Sequence, residues 1–129
     1  MTPTPEAVVR GIYASWHEGR SARDWIAEEL EYVNPPDAVE PGTRRGRATL
    51  RVPFEAYEQF DVTPEEYLEA GADRILVLAT VRVRARRSGV EDTTRQGYLW
   101  TVRDGRAIRF EWFREPAQAL RAVGISGRS

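Results

Sequence analysis

Near residue 65 the hydrophobic pattern of this chain changes period, from the three-and-four spacing of amphipathic helices to the alternation of strands. Beyond the switch, residues 65–70, 74–87, 90–103 and 106–114 read as strands. Ser88-Gly89 and Asp104-Gly105 read as the hairpin turns between the last three, and Asp-Gly is a strong turn signal. Before the switch, Thr4-Pro5 reads as a helix N-cap followed by proline at the first helical position. Val8, Val9, Ile12, Tyr13 and Trp16 follow at helical spacing, and Gly19 ends this helix. Ser21 to Asp24 resembles a capping box opening a second helix, with Trp25, Ile26 and Leu30 on one side. Residues 31–34 read as a short strand that Pro35-Pro36 stops, and 48–60 as a third helix through Leu50, Phe54, Tyr57 and Phe60. Residues 116–123 read as a terminal helical turn or two, closed by Gly124. Helices first and an antiparallel meander afterwards make an α+β fold, one domain over residues 1–129, with the helices on one face of the sheet.

Val77, Ala79, Val81, Val83 and Ala85 are uniformly apolar and are expected to face the helices. The alternate set, from Leu76 and Leu78 to Arg82, Arg84 and Arg86, forms the outer face. If both turns are two-residue loops, Val81 lies opposite Gln96, Ala79 opposite Tyr98, Tyr98 opposite Glu111 and Trp100 opposite Arg109. Gln96, Tyr98, Trp100, Arg109, Glu111 and Phe113 then point inward. A glycine bulge at Gly105 shifts the last strand by one, so that Ile108, Phe110 and Trp112 face inward and Arg109 and Glu111 face water. Both registers stay open on the residues alone.

Composition removes whole classes of chemistry. There is no cysteine, hence no thiolate nucleophile or metal ligand, and every basic residue is arginine, so no lysine Schiff base can form. The one histidine, His17, cannot build a His-rich metal site, no G-x-S-x-G elbow is present, and no metal is expected. Net charge is −1, which argues against a nucleic-acid partner. No apolar run is long enough for a membrane span and Met1 to Glu6 does not read as a signal peptide, so a cytoplasmic location is expected. His17 reads as a helix C-terminal residue, the arginine run of residues 82–87 as a solvated face, and Tyr13, Trp16, Tyr32, Phe54 and Tyr57 as core or pocket wall.

The stretches Ile12–Gly19, Tyr32–Pro35, Gly42–Arg47, Arg103–Arg106 and Glu111–Glu115, with the tail from Ala119 to Gly124, resemble in order and spacing the nuclear-transport-factor-2-like superfamily. The resemblance is to its SnoaL-like branch, which includes polyketide cyclases and relatives of ketosteroid isomerase. It implies a conical domain, a curved antiparallel sheet wrapped against three helices around a pocket. It also implies homodimers and no cofactor. In the isomerases an aspartate base precedes the proline after the first short strand; here Asn34 stands before Pro35. Their protonated aspartate falls near Tyr98, and their helix tyrosine near Ile12 or Tyr13. The cyclases' deep carboxylate maps most nearly to Glu111.

Two functions stay open. In one, a cofactor-independent cyclase or isomerase acts on an apolar polyketide- or terpenoid-like molecule, with Glu111 as acid and base and Tyr98, Asn34 and Gln96 as hydrogen-bond partners. Tyr13, Trp16, Tyr32, Phe54, Tyr57, Trp100, Arg109 and Phe113 then line the substrate. In the other, the same pocket serves a non-catalytic binding or dimerisation module, which an outward Glu111 would favour. An epoxide hydrolase is a third reading and needs a second inward carboxylate, for which Asp92 is the candidate. Leu76, Leu78 and Leu99 form an outer apolar patch, extended by Ile108, Phe110 and Trp112 if the turns are tight, and a homodimer is expected through it.

Overall fold

The computed structural model describes residues 2–51 and 57–125. Helix α1 (Pro5–His17) starts as its cap predicts, with the Thr4 hydroxyl accepting from the Ala7 amide at 3.1 Å. A 3₁₀ turn (Arg23–Trp25) leads into β1 (Ile26–Asn34), followed by β2 (Gly42–Arg45) and a second 3₁₀ turn (Arg47–Arg51). Four strands complete the sheet: β3 (Tyr57–Glu69), β4 (Arg74–Ala85), β5 (Glu91–Arg103) and β6 (Arg106–Phe113). Helix α2 (Pro116–Ala122) closes the described chain. The six strands run in the order β2-β1-β6-β5-β4-β3. All neighbours are antiparallel except β1 and β6, which run parallel, so the expected antiparallel sheet is in fact mixed. No helix among the described residues is long and apolar enough to cross a membrane.

The expected second helix is a strand. Ile26 and Leu30 are both buried, as a helix face would require, but a spacing of four also keeps two residues on one face of a strand. The two periods cannot be told apart over so short a run, and pairing with β6 decides for the strand. Trp25 is held against α1 by close approach: a Cβ on Gly11 would lie 2.5 Å from its ring. The expected third helix is also replaced where it can be followed. Its start is the 3₁₀ turn at Arg47–Arg51, and Tyr57 to Phe60 already belong to β3. Phe54 lies outside the described residues. Strand β3 is thus much longer than residues 65–70. It tolerates Pro64 because it is an edge strand with a register shift between Pro64 and Glu66.

The two hairpins depart from tight pairing in different ways. Between β4 and β5 the turn is longer than two residues, with Arg84 opposite Glu91 and the Ala85 amide donating to the Val90 carbonyl at 3.0 Å. The register moves by two, Tyr98 lies opposite Val77 and Gln96 opposite Ala79, and every face is kept. Between β5 and β6 the turn is the expected Asp104-Gly105 pair, both with positive φ (53° and 77°) as a primed hairpin turn requires, and Arg103 pairs with Arg106. One extra residue then enters β6: Val102 pairs with Ala107 and Thr101 with Arg109, leaving Ile108 as a bulge. Beyond it Trp100 faces Phe110, Tyr98 faces Trp112 and Leu99 faces Glu111. Beyond Ile108 the faces are those of the shifted register, but Ile108, expected inward there, is itself the bulge, and the shift arises at it and not at Gly105.

Two apolar layers result. The inner layer packs Val8, Val9, Ile12 and Tyr13 of α1 on Val77, Ala79, Val81, Tyr98, Trp100 and Phe110. This bears out the face assignment of β4. The outer layer joins Leu76, Leu78 and Leu99 to Ala119 and Leu120 of α2. Helices therefore lie on both faces, where one was expected. The outer leucines do not form an open patch, because the chain's own α2 covers them and Leu76 is 0% exposed. Phe110 and Trp112, expected as extensions of that patch under tight turns, face inward.

Candidate functional site

The inner face grades from sealed packing to a half-buried polar row. At its centre the Trp100 indole N–H donates to the Tyr13 hydroxyl at 3.0 Å, fully inside the protein. Trp16 and Phe110 close around this pair, with ring centroids 5.6 Å from Tyr13 and 4.6 Å from Trp100 respectively. Burial pushes the Tyr13 hydroxyl well above its ordinary pKa. Tyr13 and Trp100, expected as ligand contacts, are therefore a packed floor.

The polar row runs across β1, β6 and β5. Asn34 ends β1, and its side-chain oxygen accepts from the Trp112 indole N–H at 2.7 Å. Trp112 on β6 lies opposite Tyr98 on β5, whose hydroxyl donates to Gln96 Oε1 at 2.7 Å. Tyr32 stands beside the row, its ring 5.2 Å from Phe110, which is itself 5.4 Å from Tyr98. Burial pushes Tyr32 up to about 12. It also raises Tyr98, and Tyr32 nearby adds to that. Both phenols are thus neutral hydrogen-bonding groups, not bases, around neutral pH. At the side of the row, Tyr67 carries the Arg10 guanidinium 4.0 Å above its ring. Tyr57 stands at the end of β3 with its ring 5.6 Å from Phe60.

Three expected site residues leave this face. The Ile108 bulge turns Arg109, Glu111 and Phe113 outward. Glu111 sits opposite Leu99 and binds Arg109 at 3.0 Å, an outer-face ion pair, while Phe113 packs with the leucines under α2. Asp92 is exposed at the start of β5. Trp112 is the residue the tight-turn reading missed, and its signal was the apolar alternation of Ile108, Phe110 and Trp112. Among the described residues no cluster of three or more His, Asp or Glu could hold a metal. A separate cleft of about 700 Å³ opens at the far end of α1, between Trp16, Ile26, Leu50 and Arg47, remote along β1 from Asn34.

No protein-family model and no curated protein matches the sequence. Solved structures do match. One, a nuclear-transport-factor-2-like protein of unknown function from Burkholderia pseudomallei, is 25% identical over 95% of this chain and 98% of that one, with a TM-score of 0.72. The chain has the nuclear-transport-factor-2-like fold. Other proteins of this fold that match include one named as a SnoaL-like polyketide cyclase from Jannaschia sp., 15% identical over 95% of this chain and 93% of that one, TM-score 0.71. A third, from Catenulispora acidiphila with a ketosteroid-isomerase-like fold, was solved in complex with trimethylamine; it is 17% identical over 98% of this chain and 96% of that one, TM-score 0.67. Within the nuclear-transport-factor-2-like frame, the strand end that the resemblance assigns to the isomerase base holds Asn34, tied to Trp112.

Proposed function

We propose that this domain binds an apolar small molecule on its inner face, without acid–base catalysis by Glu111, and that Asn34, Tyr98 and Gln96 orient the ligand's polar group. What carries the reading is that every side chain in the polar row is uncharged, while Glu111 is spent on Arg109 behind the sheet. Such a row can accept and donate hydrogen bonds but has no group that takes a proton from carbon near neutral pH. The cyclase and isomerase readings both needed Glu111 inside the cone. The half-buried rings of Tyr32, Tyr67, Phe60 and Trp112 supply the apolar wall.

Titration with Nile red, a neutral apolar dye, tests this. Saturable micromolar binding is expected, weakened at least about tenfold by Val83→Arg, which sets a charge on the half-buried inner wall. Absence of saturable binding across a panel of neutral apolar probes overturns it. The homodimer implied by the resemblance is proposed for the part of the outer face that α2 leaves open. A monomer in sedimentation at micromolar concentration overturns that.

A further inference from the structure

The hydrogen bonds of the polar row orient its two side-chain amides. An indole N–H can only donate, so the Asn34 atom 2.7 Å from Trp112 Nε1 has to be the amide oxygen. That fixes the amide, and its NH₂ group points away from Trp112. No hydrogen bond to that NH₂ occurs among the described residues, and it is not sealed in the interior, since no buried side-chain nitrogen or oxygen there lacks a partner. On the other side of Trp112, the Gln96 oxygen is likewise taken, by the Tyr98 hydroxyl, and its NH₂ is left open. The row therefore offers a ligand two oriented NH₂ donors, beside amide oxygens that each already accept one hydrogen bond.

We infer that Asn34 is a specificity-determining residue that selects neutral apolar ligands carrying a carbonyl oxygen. The inference rests on the binding function proposed above and narrows its ligand class. A ketone supplies the acceptor that the oriented NH₂ lacks. The matching hydrocarbon leaves that group stripped of water with nothing in exchange. Trp112 acts as a positioning residue: it holds the amide in the donating orientation and offers its ring as a platform beside the carbonyl.

The test compares 1-tetralone with tetralin, which share a carbon skeleton and differ by the carbonyl. Wild-type protein is expected to bind the ketone about five- to tenfold more tightly, the usual worth of one neutral hydrogen bond. The Asn34→Asp change keeps an acceptor for Trp112 but replaces the donor by a charge; it is expected to weaken binding of both probes and to abolish the preference, read as the ratio of the two affinities. Trp112→Phe, which frees the amide to turn, is expected to reduce the preference by a smaller factor. A readout independent of variant folding is the Asn34 side-chain NH₂ resonance of the wild type, which should shift with the ketone and not with the hydrocarbon. Equal affinity for both probes, or an unmoved NH₂ signal at ketone saturation, overturns the inference and leaves the binding function standing. Binding of neither probe at millimolar concentration overturns both.

Discussion

The two faces of the sheet are built from the same strands and bury side chains for different ends. The outer face of β4 and β5 presents Leu76, Leu78 and Leu99, and α2 lies on them closely enough that a Cβ on Gly97 would come within 2.5 Å of the Ala119 Cβ. Beyond α2 the same face carries ion pairs, Arg109–Glu111 and Arg95–Glu65. The inner face presents aromatic rings whose polar atoms are paired with one another, as in Trp100–Tyr13, Trp112–Asn34 and Tyr98–Gln96. Aliphatic contact asks only for shape, whereas a buried hydroxyl or indole asks for a partner in a set direction. The outer layer therefore serves as a fastening for the C-terminal helix, and the inner layer is where hydrogen bonds left over from the core can meet a ligand.

The largest effect that can break this division is Leu76→Asp. If the outer leucines are core, the buried charge costs on the order of 4 kcal/mol or more and the chain unfolds in urea far earlier. If they are a subunit contact, the variant stays folded and only its sedimentation changes. A smaller loss is expected from Gly97→Val, which drives a side chain into Ala119. About 1–3 kcal/mol should go, with amide exchange in α2 speeding up before that in α1. Equal protection of the two helices would mean that α2 is not held where Gly97 admits it.

On the inner face the sharper probe is pH. Tyr32 is raised from its ordinary value of 10.0 to about 12 by burial, so the folded state keeps a proton that the unfolded chain releases. Its contribution is complete below pH 10 and is lost as pH climbs toward 12, so urea midpoints should fall across that window. Replacing Tyr32 by Phe should flatten the fall, and an unchanged slope would place the sensitivity in other tyrosines. The smallest effect is expected at Glu111→Gln. An ion pair whose Arg109 side chain is 45% exposed is worth about 0–1 kcal/mol, and ligand binding on the other face should not change. A Gln variant that loses binding would return Glu111 to the site.

Much of this arrangement was legible before any coordinates. The α1 cap, the Asp-Gly turn and the inward set of β4 are local or strictly periodic features, and each stands as its residues indicate. Tyr98 and Gln96 were legible as inner-face polar groups, because the longer β4–β5 turn moved the register by two and a shift of two preserves faces. Glu111 was not legible in the same way. One added residue at Ile108 reverses everything after it, and both of its outcomes satisfy the local pattern: an alternation of apolar residues in one register, a charged pair facing inward in the other.

By itself the sequence determined the class of fold, the strand-forming second half, the turn at Asp104-Gly105 and the exclusion of thiol and lysine chemistry, because these depend on residue type and on neighbours within a few positions. Only the tertiary structure decided that residues 26–30 extend the strand expected at 31–34 and are not helix, that α2 covers the outer leucines, and that Trp112 rather than Glu111 meets Asn34. Each of those outcomes turns on pairing between segments far apart in the chain. A four-residue spacing or a single bulge leaves local energetics nearly balanced there, and burial against a distant partner breaks the tie.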